Sequence, residues 1–113
     1  MSGFIDARAV PSGTVIETDV AIVGGGAAGI SLALALAPTP LRMVMLESGG
    51  LGFDSKAQAL YSGEESGYPY LKLDASRLRY LGGSTNHWGG WSRPLSEIDF
   101  EARDWMPHSG WPF

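Results

Sequence analysis

The segment DVAIVGGGAAGISLALALAPTPLRMVMLE, residues 19 to 47, constrains the fold more than any other part of this chain. Asp19 to Val23 is a short apolar run of strand-forming residues, and it stops at Gly24-Gly25-Gly26. Ala27 to Ala37 is rich in Ala and Leu, which carry high helix propensity, and Pro38 and Pro40 close it. Leu41 to Leu46 is a second apolar run, ended by Glu47 and a further glycine pair. Strand, glycine turn, helix and strand in about 30 residues define a βαβ unit, whose strands should be parallel and joined by a right-handed crossover. The fold class expected is α/β.

The flanks are less ordered. Residues 1 to 18 read as an irregular lead-in with a turn at Pro11-Ser12-Gly13, and residues 19 to 113 as the N-terminal part of an incomplete domain, with no substrate domain. From Ser48 to about Asp74 the pattern loosens into Gly, Ser and Tyr, with one short helix expected near Ser55 to Tyr61. Ala75 to Leu81 reads as a helical turn. Ser96-Glu97-Ile98-Asp99 has the form of a capping box, which predicts a short helix over Asp99 to Trp105. A parallel sheet is normally covered on both faces. With two visible strands and a Trp111-Pro112-Phe113 close, the chain is expected to be the N-terminal part of a longer protein.

Composition excludes several function classes. The net charge of -4 opposes a phosphate backbone, so nucleic acid is not an expected partner. Without cysteine there are no disulfides, thiolate metal sites or cysteine nucleophiles. His87 and His108 are far apart and no carboxylates cluster with them, so no metal site is expected. The apolar run at Ala27 to Ala37 is too short for a membrane span. The opening MSGFIDARAVPSG has neither an apolar signal core nor a twin arginine, which makes the cytoplasm the expected compartment.

Chemistry concentrates at the glycine turn. Gly24-x-Gly26-x-x-Gly29 has the spacing of a dinucleotide-binding turn, but 16 glycines in 113 residues make that spacing weak by itself. Its context adds weight: a strand precedes it, a helix follows it, and Glu47 ends the next strand. Gly24 would permit the tight turn, Gly26 the approach of a pyrophosphate, and Gly29 the close packing of helix on strand. The N–H groups of the first helical turn, at Ala27 and Ala28, would face the phosphates, with Ser48 beside Glu47 at the next strand end. Glu47 would accept hydrogen bonds from the adenosine ribose and repel a 2′-phosphate, which disfavours NADP. NAD and FAD share this fingerprint.

A second segment, LGGSTNHWGG at residues 81 to 90, places His87 and Trp88 between two glycine pairs. Taken in order, DVAIVGGGAAG with VMLESGG, RLRYLGGSTNHWGG, DFEARDW and SGWPF resemble the glucose-methanol-choline (GMC) flavin oxidoreductases over most of residues 19 to 113. The likeness is strongest to the sugar-oxidising branch, the pyranose oxidases and related sugar dehydrogenases. The resemblance implies a Rossmann-like FAD-binding unit with a long loop-rich extension. It also implies oxidation of a CH–OH group on a small alcohol or sugar, with hydride passing to flavin N5.

The resemblance further implies that Gly82, Gly83, Ser84, Asn86, His87, Trp88 and Gly89 run along the flavin. In several members a histidine at the place of His87 is bonded covalently to the flavin 8α-methyl carbon, a step for which a neutral imidazole nitrogen is a competent nucleophile. The bland alternative has His87 packing against the ring or bonding a carbonyl. Thr85 is a lesser candidate for cofactor contact, and Trp88 reads as packing beside the ring. Arg77 and Arg79 would either balance pyrophosphate charge or be solvated. His108 is expected to have no catalytic role, and Trp91, Trp105 and Trp111 are expected to pack. The family's catalytic base is a histidine paired with His or Asn near the C-terminus, and nothing here matches it, so no catalytic residue is assigned. The electron acceptor is unspecified. Other readings stay open: a stand-alone dinucleotide-binding module without catalysis, a non-functional remnant, or an NAD-dependent enzyme, which would leave Leu81 to Gly90 unexplained.

Overall fold

The computed structural model describes residues 3 to 111. At its centre β1 (Val20–Val23), helix α1 (Ala27–Leu36) and β2 (Met43–Leu46) form a βαβ unit. The strands pair in parallel, Val20 opposite Met43 through Val23 opposite Leu46, and α1 packs against both. Among the described residues this is a small α/β domain with a two-stranded parallel sheet and three α-helices.

The sheet is held in register at its opening end by more than the ladder. Arg42 donates its backbone N–H (2.8 Å) and its guanidinium (3.0 and 3.2 Å) to the Asp19 carboxylate, while its carbonyl accepts from Asp19 and Val20. Helix α1 starts at Gly26, whose carbonyl takes the N–H of Ile30, and no side chain caps its first turn. It ends at Leu36, and Thr39 then folds back to bond the Leu36 carbonyl.

Helices α2 (Ser55–Ala59) and α3 (Leu73–Ser76) are short. Asp54 caps α2, accepting the N–H groups of Lys56 and Ala57. A single buried side chain ties α2 to the rest. The Gln58 amide donates to the carbonyls of Asp74 and Arg77 (2.6 Å each), and its oxygen accepts the N–H of Arg79 (3.1 Å). Those bonds explain why the helical turn expected at Ala75 to Leu81 lies earlier, at α3: from Arg77 the backbone is extended, its carbonyl turned toward Gln58.

The helix expected over Asp99 to Trp105 is absent. The capping box at Ser96 forms, yet it opens only a 3₁₀ turn, Glu97–Asp99. Phe100 closes that turn by donating to the Glu97 carbonyl. The N–H of Arg103, which would have continued a helix, instead donates to Ser109 Oγ at 2.7 Å, and its guanidinium donates to the Ile98 carbonyl. The lead-in holds one 3₁₀ turn, Ala7–Ala9, and the Pro11 turn is closed by the N–H of Thr14.

Packing is thin. Ile22, 6% exposed, is the one buried apolar residue among those described, and Val23 at the end of β1 is 84% exposed. The radius of gyration, 18.0 Å, exceeds the roughly 13 Å of a compact domain of this length. Among the described residues no helix is long and apolar enough to cross a membrane.

Candidate functional site

Three glycine pairs from distant parts of the chain meet at the carboxyl ends of the two strands. Gly82 donates its N–H to the Gly25 carbonyl (2.7 Å), and Gly26 and Gly82 form a parallel bridge. A Cβ on Gly83 would stand 3.3 Å from the Gly26 Cα. One step earlier, Leu81 donates its N–H to the Gly50 carbonyl, and a Cβ on Gly49 would lie 2.0 Å from the Arg79 carbonyl oxygen. Residues 79 to 83 therefore thread between the turn after β1 and the turn after β2. Only glycine permits approaches this close at Gly49.

The motif glycines divide into two kinds. A Cβ on Gly29 would meet the Gly24 carbonyl oxygen at 2.0 Å and Ile22 Cγ2 at 3.2 Å, so this glycine lets α1 lie against the turn and strand. At Gly24 and Gly26 a Cβ would meet nothing within 4 Å. Gly24 has φ +103°, a conformation side chains disfavour. The space above Gly26 is open, next to the uncapped first turn of α1 at Ala27 and Ala28. That combination of open backbone and helix N-terminus suits a phosphate group.

Glu47 turns back toward this loop. One carboxylate oxygen accepts the Gly25 N–H (2.8 Å); the other accepts the Gly49 N–H (2.8 Å) and the Ser48 hydroxyl (3.4 Å). Partial burial opposes its ionisation, but the hydrogen bonds from Gly49, Gly25 and Ser48 together outweigh it, and the carboxyl sits below its usual range. An ionised carboxylate keeps further acceptor capacity after these bonds, enough for a sugar hydroxyl.

Beside Glu47 lies a cleft of about 380 Å³. Val23 and Gly24 line it from the end of β1, Leu46, Glu47 and Ser48 from the end of β2, and Tyr61 and Arg79 from the extension. Its place, outside the carboxyl ends of parallel strands, is where open α/β sheets hold ligands. The Arg79 guanidinium stands over the Tyr61 ring, 4.8 Å from its centroid, and its Nε is buried without a hydrogen-bond acceptor among the described residues. An unsatisfied buried donor costs about 1–3 kcal/mol.

The segment after Gly83 forms a 3₁₀ turn, Gly83–His87. Its polar side chains hold the turn itself. Thr85 donates to the Gly82 carbonyl, Asn86 donates to the carbonyls of Leu81 (3.0 Å) and Gly83 (2.9 Å), and Ser84 Oγ accepts the Leu78 N–H. His87, Trp88 and Gly89 follow on the surface, exposed, and do not line the cleft. The structure thus gathers Gly24, Gly26, Ala27, Ala28, Gly29, Glu47, Ser48, Gly82 and Gly83 at one place, with His87 at the far end of the same turn. His108 has φ +60° in the closing loop, where Phe100 and Trp111 meet edge to face at 5.6 Å. Trp91 and Trp105 are exposed rather than packed, although the Arg103 guanidinium lies over the Trp105 ring. No cluster of metal-ligating side chains occurs among the described residues.

Sequence reasoning missed Gln58, Tyr61 and the role of the Gly49-Gly50 pair. The pair was visible as a pair; Gln58 and Tyr61 offered only their three-residue spacing on a short expected helix. Compared with protein-family models, with curated proteins and with solved structures, the chain matches none.

Proposed function

We propose that this chain is the FAD-binding portion of an oxidoreductase acting on CH–OH groups, its βαβ unit a Rossmann-like adenine dinucleotide site. The observation that carries the reading is the junction of Gly25-Gly26 with Gly82-Gly83, made by the Gly82 N–H on the Gly25 carbonyl. It sets the LGGSTNHWGG segment beside the open backbone above Gly26, where a pyrophosphate would sit. A dinucleotide with its phosphates there would have its adenosine ribose toward Glu47 and its other half along residues 82 to 89. An NAD site needs only the first glycine turn and leaves that second segment without a role, which is why FAD is preferred.

When bound, FAD supplies a hydride acceptor for an alcohol or sugar carbon. Gly26 and the first turn of α1 hold phosphate, Glu47 orients the ribose, and Gly82 and Gly83 allow backbone close to the cofactor. The expected cytoplasmic location belongs to the same reading. The test is to add FAD to the purified chain, remove free flavin by gel filtration, and record the visible spectrum. Flavin absorbance eluting with the protein, and lost in Gly26→Ala, supports the proposal. A colourless protein peak at saturating FAD ends it.

A further inference from the structure

The cleft beside Glu47 contains a built feature that the phosphate and ribose contacts leave unused. Gln58 and Tyr61 lie three residues apart at the end of α2, linked by the Tyr61 N–H on the Gln58 carbonyl (3.0 Å). Gln58 is 8% exposed and fixes the backbone of Asp74, Arg77 and Arg79 with three hydrogen bonds. Gly49 admits the Arg79 carbonyl on the other side. The backbone of Arg79 is thereby held from two directions, and its guanidinium is laid over Tyr61. Arg79 forms no ion pair among the described residues, although the chain carries an excess of acid.

A planar cation stacked on a tyrosine, without a carboxylate partner among the described residues and lining a ligand-sized cleft, is suited to stacking a flat, electron-rich ring. Resting on the dinucleotide reading above, we infer that Tyr61 and Arg79 form the wall on which the adenine base of the nucleotide stacks, with Arg79 as its contact face and Gln58, buried behind it, as a positioning residue. Glu47, on the strand side of the same cleft, meets the ribose hydroxyls, so base and sugar are recognised by opposite walls. Arginine guanidinium planes take nucleobases in this way, and the stack is tolerant of the base's hydrogen-bonding edge.

The test is calorimetric titration of the full chain with ADP and with inorganic pyrophosphate, for wild type, Arg79→Lys, Arg79→Met and Tyr61→Leu, with circular dichroism as the check on folding. The wall predicts that both Arg79 variants lose ADP affinity roughly ten-fold, as expected for one lost base stack, while pyrophosphate affinity stays within about two-fold. Tyr61→Leu should weaken ADP in the same direction, and it keeps the inference testable if an Arg79 variant unfolds. Arg79→Lys with wild-type ADP affinity, or ADP and pyrophosphate weakened together, would show a charge acting on phosphate and overturn the wall. FAD bound by the wild type with ADP affinity unmoved by the substitutions sinks the wall and leaves the cofactor reading intact. ADP bound and weakened as predicted, without FAD binding, keeps the wall and removes the flavin. A wild type that binds neither FAD nor ADP removes both.

Discussion

Gly82 lies against Gly25, 57 residues earlier in the chain, with its N–H 2.7 Å from the Gly25 carbonyl oxygen. Gly83 then stands over Gly26 so closely that a Cβ would be 3.3 Å from the neighbouring Cα. This contact joins the two glycine-rich segments of the sequence into one surface, and the predictions below test what that surface does.

Gly26 and Gly29 should separate ligand binding from stability. A methyl at Gly29 collides with the Gly24 carbonyl, so Gly29→Ala is expected to cost about 1–3 kcal/mol, read as a lower urea midpoint. A methyl at Gly26 meets nothing within 4 Å among the described residues, so Gly26→Ala should unfold near the wild-type midpoint yet lose nucleotide. Equal destabilisation by the two substitutions would contradict the division of roles.

Glu47 should make stability depend on acid. Its carboxyl is held below the ordinary glutamate range, so its stabilising contribution is fully present above the unfolded value, about 4.3. That contribution is lost as the pH falls through the lowered folded value. Glu47→Gln should therefore melt below wild type at pH 7, with the gap closing toward pH 3. Thermal melts at both values check this, and a gap that widens in acid would refute it.

Gln58 should matter more than its place in a loosely patterned stretch suggests. Gln58→Leu leaves two carbonyls and one N–H without their partner, at a cost of about 1–3 kcal/mol. Gln58→Glu should be at least as harmful, because a carboxylate cannot donate to the Asp74 and Arg77 carbonyls. Limited proteolysis between residues 60 and 72 should accelerate in both. An unchanged cleavage rate would mean that α2 is held by something else.

His87 carries the covalent version of the cofactor reading. Acid precipitation of the FAD-loaded protein should leave yellow colour in the pellet, and His87→Ala should release it to the supernatant while still binding flavin. Colour lost entirely from wild type would limit the reading to non-covalent FAD.

The central βαβ unit was legible because its signals are local. Val20 to Val23 and Met43 to Leu46 are short apolar runs, Ala27 to Leu36 is rich in the helix formers Ala and Leu, and glycine and proline mark the junctions. Strand and helix type follow from such nearest-neighbour preferences, and the parallel pairing follows from the helical crossover between them. The ends shifted by a residue or two, since the last turn of a helix and the first residue of a strand depend on caps such as Asp19 with Arg42.

Elsewhere the local signal and the outcome diverged. The capping box at Ser96 formed as its residues predict, but the helix did not, because Ser109, six residues further on and outside the expected helix, took the Arg103 N–H. The family resemblance sets Asn86 and Ser84 along the cofactor, whereas in the fold their side chains hold their own turn. By itself the sequence determined the βαβ unit, the open glycine turn and the acid at the end of the second strand, since each follows from spacing along a single stretch of chain. Tertiary structure alone decided that Gly82 meets Gly25, that Arg79 lies over Tyr61, and that Gln58 holds three separate backbone groups. Those are contacts between residues far apart in the chain, set by which backbone groups can approach and be satisfied in space, and no periodicity in the sequence records them.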